Sequence, residues 1–284
     1  MIPASANPIF DVRLSDLGYR SALVTGAGSG LGSAFADALI GQGVRVWGTS
    51  RWPDKMAARD GLIPVEMDLA DVAGIDRLWS RLRDEAGGID LVVANAGFGV
   101  WGEFSAVPFA QWADQIDAML TGTARLLHRA MPDLRGREPS AIVVITSLAV
   151  DFPLPGLSGY NAVKAGLSGL ALGLMIESNG RGPNILDFRP GDYRTSFNRA
   201  MDLSANLEES PEYLIRAGRR MNALMEDAPD PQRAARDLVR ALRRRRDGVF
   251  RSGSFFQARL APTLARFVPA SWLRAATRRY FGIS

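Results

Sequence analysis

The chain has 284 residues, 47% hydrophobic and 23% charged, enough for one full-sized core and an appendage. It has no cysteine, which excludes disulfides, thiol catalysis and thiolate metal sites, and its one histidine, His128, has no second imidazole for a metal pair, so no metal is expected. The net charge of +4 is uneven: residues 231–284 hold thirteen Arg against two Asp, and the rest of the chain is net acidic. No apolar run approaches the length of a membrane span, and the N-terminus "MIPASANPIFDVRLSD" lacks the basic start and apolar stretch of a signal peptide, so a cytoplasmic chain is expected.

In chain order, "RSALVTGAGSGLGSAFADALIGQG" reads as a buried strand, a Gly-rich turn and an amphipathic helix. "GVRVWGTSR" is a second strand and "LIPVEMDLAD" a third, and Ile75 opens a helical pattern reaching Leu82. "GIDLVVANAG" is the fourth strand, followed by one long helix, "FAQWADQIDAMLTGTARLLHRAMPDL", with Pro132 as its stop signal. A fifth strand ("SAIVVITSLA"), a helix ("GYNAVKAGLSGLALGLMIES") and a sixth strand ("PNILDFRPG") follow. Residues 196–230 are polar and irregular, a lid over a substrate, and "PQRAARDLVRALRRRRDGVF" resumes helix and strand. Apolar strands alternating with helices predict an α/β fold: a doubly wound, Rossmann-type parallel sheet of about seven strands, with helices on both faces and a helical C-terminal tail. The expected organisation is a single catalytic domain over 1–253 and a basic amphipathic tail over 254–284. Ligands of such sheets bind beyond the carboxyl ends of the strands, so "TGAGSGLG", "SR", "MD", "NAG", "TS" and "PG" share one rim.

Three of these segments carry chemistry. The turn fits T-G-x-x-x-G-x-G, with Gly26, Gly30 and Gly32, and lets a pyrophosphate approach the backbone and the helix N-terminus; a tight turn without a ligand is the plain alternative. After the second strand, the place of a ribose-binding acid is taken by Ser50, followed by Arg51. An acid there would repel a 2′-phosphate that Arg can grip, so NADP(H) is favoured over NAD(H), against the alternative of a solvated loop Arg. Tyr160 and Lys164 share one face of a helix, and Lys164 is one of two lysines in a chain with 32 Arg. A nearby ammonium favours the phenolate and makes Tyr a proton shuttle, which explains a Lys there; a packing Tyr beside a solvated Lys is the alternative. Ser147, thirteen residues earlier at the end of the fifth strand, can polarise a carbonyl.

Together these motifs, with "NAG" at 95–97 and "PGDYRT" at 190–195, resemble the short-chain dehydrogenase/reductase family in its compact branch. The likeness covers roughly residues 20–195 and the helix and strand at 232–251. It implies Tyr160 as catalytic acid/base, Lys164 lowering its pKa and holding the nicotinamide ribose, and Ser147 orienting the substrate oxygen. It also implies a cofactor cleft formed by Thr25, Gly26, Ser29, Gly30, Leu31, Gly32, Ser50, Arg51, Asp68, Leu69, Asn95, Ala96, Gly97, Tyr160, Lys164, Pro190, Gly191, Tyr193 and Thr195. Within it Asp68 would contact the adenine and Thr195 the nicotinamide end. One departure is Met119, where the family places an Asn associated with a backbone distortion and a relay water. Another group then supplies the relay, or turnover is slow, or the protein is a pseudoenzyme that only binds cofactor.

The activity so implied is NADP(H)-dependent interconversion of a ketone or aldehyde and an alcohol; an isomerase or dehydratase on the same fold is the other catalytic reading. Apolar residues on the rim segments, Trp101, Phe152 and Tyr193 foremost, with Phe98, Val100 and Leu154, suggest a bulky apolar substrate. The expected assembly is a homodimer or homotetramer. In the tail, Phe256, Leu260, Leu264 and Phe267, then Trp272, Leu273, Ala276 and Tyr280, recur at helical spacing among arginines. These helices either cap the body or a subunit interface, or lie on a membrane surface as a peripheral anchor. Nucleic acid is not an expected partner, since four consecutive Arg at 243–246 also suit a solvated helix end.

Overall fold

The computed structural model describes residues 12–195, 197, 210–265 and 267–283. Its strands are β1 (Ser21–Val24), β2 (Arg45–Ser50), β3 (Leu62–Glu66), β4 (Leu91–Ala94), β5 (Ala141–Ile145), β6 (Asn184–Pro190) and β7 (Gly248–Ser252). They form one sheet in the order β3-β2-β1-β4-β5-β6-β7, with each neighbouring pair parallel. The doubly wound seven-stranded sheet expected from the sequence is therefore present. The chain order reverses between β1 and β4, and the crevice above that point is where such sheets take ligands.

Central strands are buried on both faces, and their side chains divide by alternation. Ala141, Val143 and Ile145 of β5 join the core under α1 (Gly30–Gly41) and α7 (Pro231–Arg243), with Phe35, Leu39, Leu238 and Leu242. Ile142 and Val144 join the opposite core under α2 (Val72–Glu85), α4 (Thr123–Arg135) and α5 (Ser158–Ser178), with Ile75, Leu126 and Leu167. Pro64 lies on β3, an edge strand, where a missing N–H costs no ladder bond on the open side.

The long helix expected over 109–134 is interrupted. α3 (Phe109–Ile116) and α4 are joined by a wide π-type turn over Asp117–Gly122. Pro132 does not stop α4, which runs on to Arg135. A proline inside a helix costs about 3 kcal/mol. Here Leu126, Leu127, Ala130, Met131 and Leu134 are all buried against the sheet, which offsets it.

Within the expected lid, residues 196 and 198–209 lie outside the described residues, and α6 (Glu212–Glu226) covers much of the remainder. α6 contributes Leu214, Ala217 and Met221 to a third apolar cluster. That cluster also holds Leu157 and Trp101 from the rim, and Phe281 from beyond α9 (Ala270–Tyr280). The tail thus shares a core with the lid helix.

A buried polar network ties the carboxyl ends of β5 and β6 together. Asp187 is completely buried and accepts hydrogen bonds from Thr146, from Ser168 at 2.7 Å and from Arg189 at 2.8 and 3.0 Å. Arg189 continues to Asp151 at 2.7 Å, and Arg251 of β7 closes on the other oxygen of Asp151 at 2.8 Å. Removing one member of a buried ion pair leaves its partner uncompensated, at a cost of about 3–5 kcal/mol. Asp187→Asn should therefore lose about that much stability in urea unfolding; a loss below about 1 kcal/mol would show that the network holds the strands only weakly.

Candidate active site

The Gly-rich turn is built from its backbone outward. Gly26 has φ of +67°, in the left-handed region open to glycine. At Gly32, in the first turn of α1, a Cβ would stand 2.1 Å from the Gly26 carbonyl oxygen and 2.5 Å from Asn95 Nδ2, so no side chain fits. Asn95 Nδ2 donates to the Thr25 carbonyl at 2.9 Å, and the Thr25 hydroxyl accepts the Asn95 and Ala96 amides, each at 2.9 Å. The side chains of Thr25 and Asn95, both expected in the cofactor cleft, thus hold the ends of β1 and β4 in register. Ser29 sits before α1 with no side-chain cap, which leaves the first-turn amides facing the crevice.

Ser147, Tyr160 and Lys164 converge above β5. Ser147 follows the strand, where its hydroxyl accepts the Ala149 amide at 3.0 Å and hydrogen-bonds with the Tyr160 phenol. Tyr160 lies in the first turn of α5, half-buried, its ring 5.6 Å from that of Phe197. Lys164, one turn on and buried, donates to the Ile145 carbonyl at 2.7 Å, with Nζ 5.5 Å from the Tyr160 ring centre. Burial pushes Tyr160 up to about 12, the Ser147 hydrogen bond opposes it, and Asp192 adds to it. Burial also brings Lys164 down to about 8, against the pull of Asp187. Lys164 is held on the end of the strand, one helical turn beyond the phenol.

The model of a family described as short chain dehydrogenase matches residues 20–205. The chain belongs to that family. An uncharacterized oxidoreductase of Myxococcus xanthus is 37% identical over 186 residues, 63% of this chain and 74% of that protein. The 3-oxoacyl-[acyl-carrier-protein] reductase MabA of Mycobacterium avium is 31% identical over 64% of this chain and 71% of its own, and a serine 3-dehydrogenase of Rhizobium radiobacter is 30% identical over 62% and 72%. A crystal structure of a short-chain dehydrogenase from Streptomyces avermitilis superposes with a TM-score of 0.74 at 25% identity, covering 94% of this chain and 97% of that one.

In this short-chain dehydrogenase the remaining cleft residues divide by position. Asp68 is exposed on the rim after β3, whereas Leu69 is buried and offers only its backbone. Ser50 ends β2 and Arg51 follows it, with its exposed guanidinium 4.5 Å from the Trp52 ring centre. Gly97 is exposed and lies beside Met119, and Leu31 continues α1. Pro190 ends β6 buried, and the Gly191 amide donates to Ser252 at 2.7 Å. Thr195 lies over Gly30 at the start of α1.

Two aromatic residues expected to border the substrate pocket are buried in apolar clusters. Trp101 has no exposed surface; it packs against Gly156 in the cluster with α6. Tyr193 enters the core under α1 and α7, and its hydroxyl pairs with Ser252. Both lie in loops, where sequence gives no alternation from which to read direction. Phe152 stays half-buried on the rim.

Other residues near the site carried no motif. Asn161 clamps the loop at Leu154 through both its amide atoms, at 2.8 and 3.1 Å. Asp192 accepts from Gln257 at 2.6 Å; burial raises its pKa and that bond opposes the rise. At Met119 the wide helical turn is kept without an Asn, and the buried sulfur accepts the Phe98 amide at 3.3 Å. Nothing in the sequence announces this contact, because a thioether sulfur is only a weak acceptor.

With two lysines in the chain, Lys164 is accessible to ¹³C-lysine NMR, with exposed Lys55 as the second resonance. In the cofactor-free protein it should titrate near pH 8. Because the unfolded chain then binds the extra proton between pH 8 and about 10.5, stability from this residue rises with pH across that window. Lys164→Met should flatten the rise. A Lys164 midpoint at or above 10.5 contradicts the buried geometry.

Proposed function

We propose that this dehydrogenase takes NADP(H) in preference to NAD(H) and interconverts a bulky apolar ketone or aldehyde with its alcohol. The observation that carries the cofactor preference is a pair of cations on one indole at the end of β2. Arg51 lies 4.5 Å and Lys55 5.3 Å from the Trp52 ring centre, all three exposed, and the ribose position is Ser50 rather than an acid. Among the described residues neither cation is in an ion pair, so both are available to a 2′-phosphate. The turn supports a dinucleotide: its packing leaves room for backbone only at Gly32, and the α1 amides face the crevice. When bound there, the nicotinamide supplies or accepts the hydride at the carbinol carbon.

The protein's own groups handle the oxygen. Ser147 and Tyr160 donate to the substrate oxygen together, and Tyr160 moves its proton. A phenol pushed to about 12 holds its proton in the resting site, ready for carbonyl reduction. Lys164, held on the Ile145 carbonyl, is the charge able to stabilise a phenolate when the site fills. The half-buried Phe98, Phe152, Leu154 and Phe197 around it suit an apolar substrate. Two of the relatives above are named as a 3-oxoacyl reductase and a serine dehydrogenase, which agrees with carbonyl–carbinol exchange. Exposed Leu172 and Ile176 on α5 favour a homodimer or homotetramer.

Fluorescence titration tests the cofactor reading. NADPH should bind at least about tenfold more tightly than NADH, a difference of about 1.4 kcal/mol. Arg51→Ala should remove most of that preference and leave NADH affinity unchanged. Equal affinities in the wild type overturn it.

A further inference from the structure

The tail is fastened to the body and yet presents an apolar, cationic face outward. Phe281 is buried beside α6, Arg216 donates to the Gly282 carbonyl at 3.0 Å, and Arg220 lies 5.6 Å from the Tyr280 ring centre. At its other end Gln257 holds Asp192 beside the active site. Along the tail Phe255, Phe256, Leu264, Phe267 and Trp272 project from the surface, the last two 83% and 71% exposed, and α9 buries none of its own residues. Single exposed apolar residues are ordinary, but five within one short segment are a docking surface.

The charge around them selects the occupant. From residue 254 to the end the chain carries five Arg and no Asp or Glu. A two-fold contact between copies would set this face against itself and oppose the same arginines with no carboxylate between them. An anionic bilayer offers both complements at once: an acyl boundary for Phe, Leu and Trp, and phosphates for Arg. Among the described residues no helix is long and apolar enough to cross a membrane, so the contact lies in the interface plane.

We propose that the C-terminal tail seats the protein on anionic lipid surfaces through this face. The proposal does not depend on the cofactor or the reaction. The full-length protein should sediment with phosphatidylserine-containing vesicles at low salt, much less so with pure phosphatidylcholine, and should be released by high salt. Leu264→Ser/Phe267→Ser/Trp272→Ser changes only exposed positions and should reduce binding at least about tenfold, with an unchanged thermal melt. Arg274→Gln/Arg278→Gln/Arg279→Gln provides a second variant with the apolar face intact, and should lose on the order of fivefold per Arg removed with anionic vesicles. A wild-type protein that stays in the supernatant with anionic vesicles at low salt overturns the proposal. So does a light-scattering mass that falls in the serine variant while vesicles are never bound, which would make the face a contact between copies.

Discussion

The crevice depends on one close approach, between Gly32 and the Gly26 carbonyl. Because position 32 has no Cβ, the first turn of α1 can lie directly against the turn that follows β1. Asn95 fills the remaining space and bonds back to Thr25, which fixes the end of β4 against the end of β1. Those two strands flank the reversal of chain order, so the same contact opens the cleft and aims the α1 amides into it. A methyl group at Gly32 would separate all of these at once.

On the other side of the cleft the organising element is polar. Asp187, Arg189 and Asp151 link β5, β6 and β7 just below Ser147 and Lys164. Lys164 therefore works in a buried setting, where desolvation opposes its charge and Asp187 favours it. Tyr160 is raised by the same desolvation. The two groups begin near opposite ends of a range through which proton transfer has to pass, and Ser147 is the contact already drawing the phenol down. The tail reaches this region through Gln257 on Asp192, so the surface at the C-terminus and the site are mechanically adjacent.

The parts of this arrangement legible in the sequence are those with a period or a fixed spacing. Apolar strands alternating with helices gave the order of the sheet's elements, and the spacing of Gly26, Gly30 and Gly32 located the turn. Tyr160 and Lys164 stood out because one helical turn separates them in a chain that otherwise uses Arg. What escaped has no local pattern. Asp187 and Arg189 sit in a strand that reads as apolar, and their bonds run to residues as distant as Thr146 and Ser168. Trp101 and Tyr193 are large aromatics in loops, and only tertiary packing shows that they face inward. The wide turn at Met119 and the passage of α4 through Pro132 reflect burial outweighing local preference. Phe281 joining the cluster of α6 is a contact across some seventy positions that no motif announces.

The central claim is that Tyr160 moves the proton in a carbonyl–carbinol reaction on a site whose cofactor cleft stands independently of it. The most direct measurement follows NADPH consumption against a panel of apolar ketones and aldehydes, for the wild type and Tyr160→Phe, with cofactor affinity measured in parallel. The account expects turnover on at least one compound in the wild type. It expects Tyr160→Phe to be at least about a hundredfold slower while binding NADPH within about threefold of the wild type. A phenylalanine variant that keeps most of the wild-type rate would contradict it.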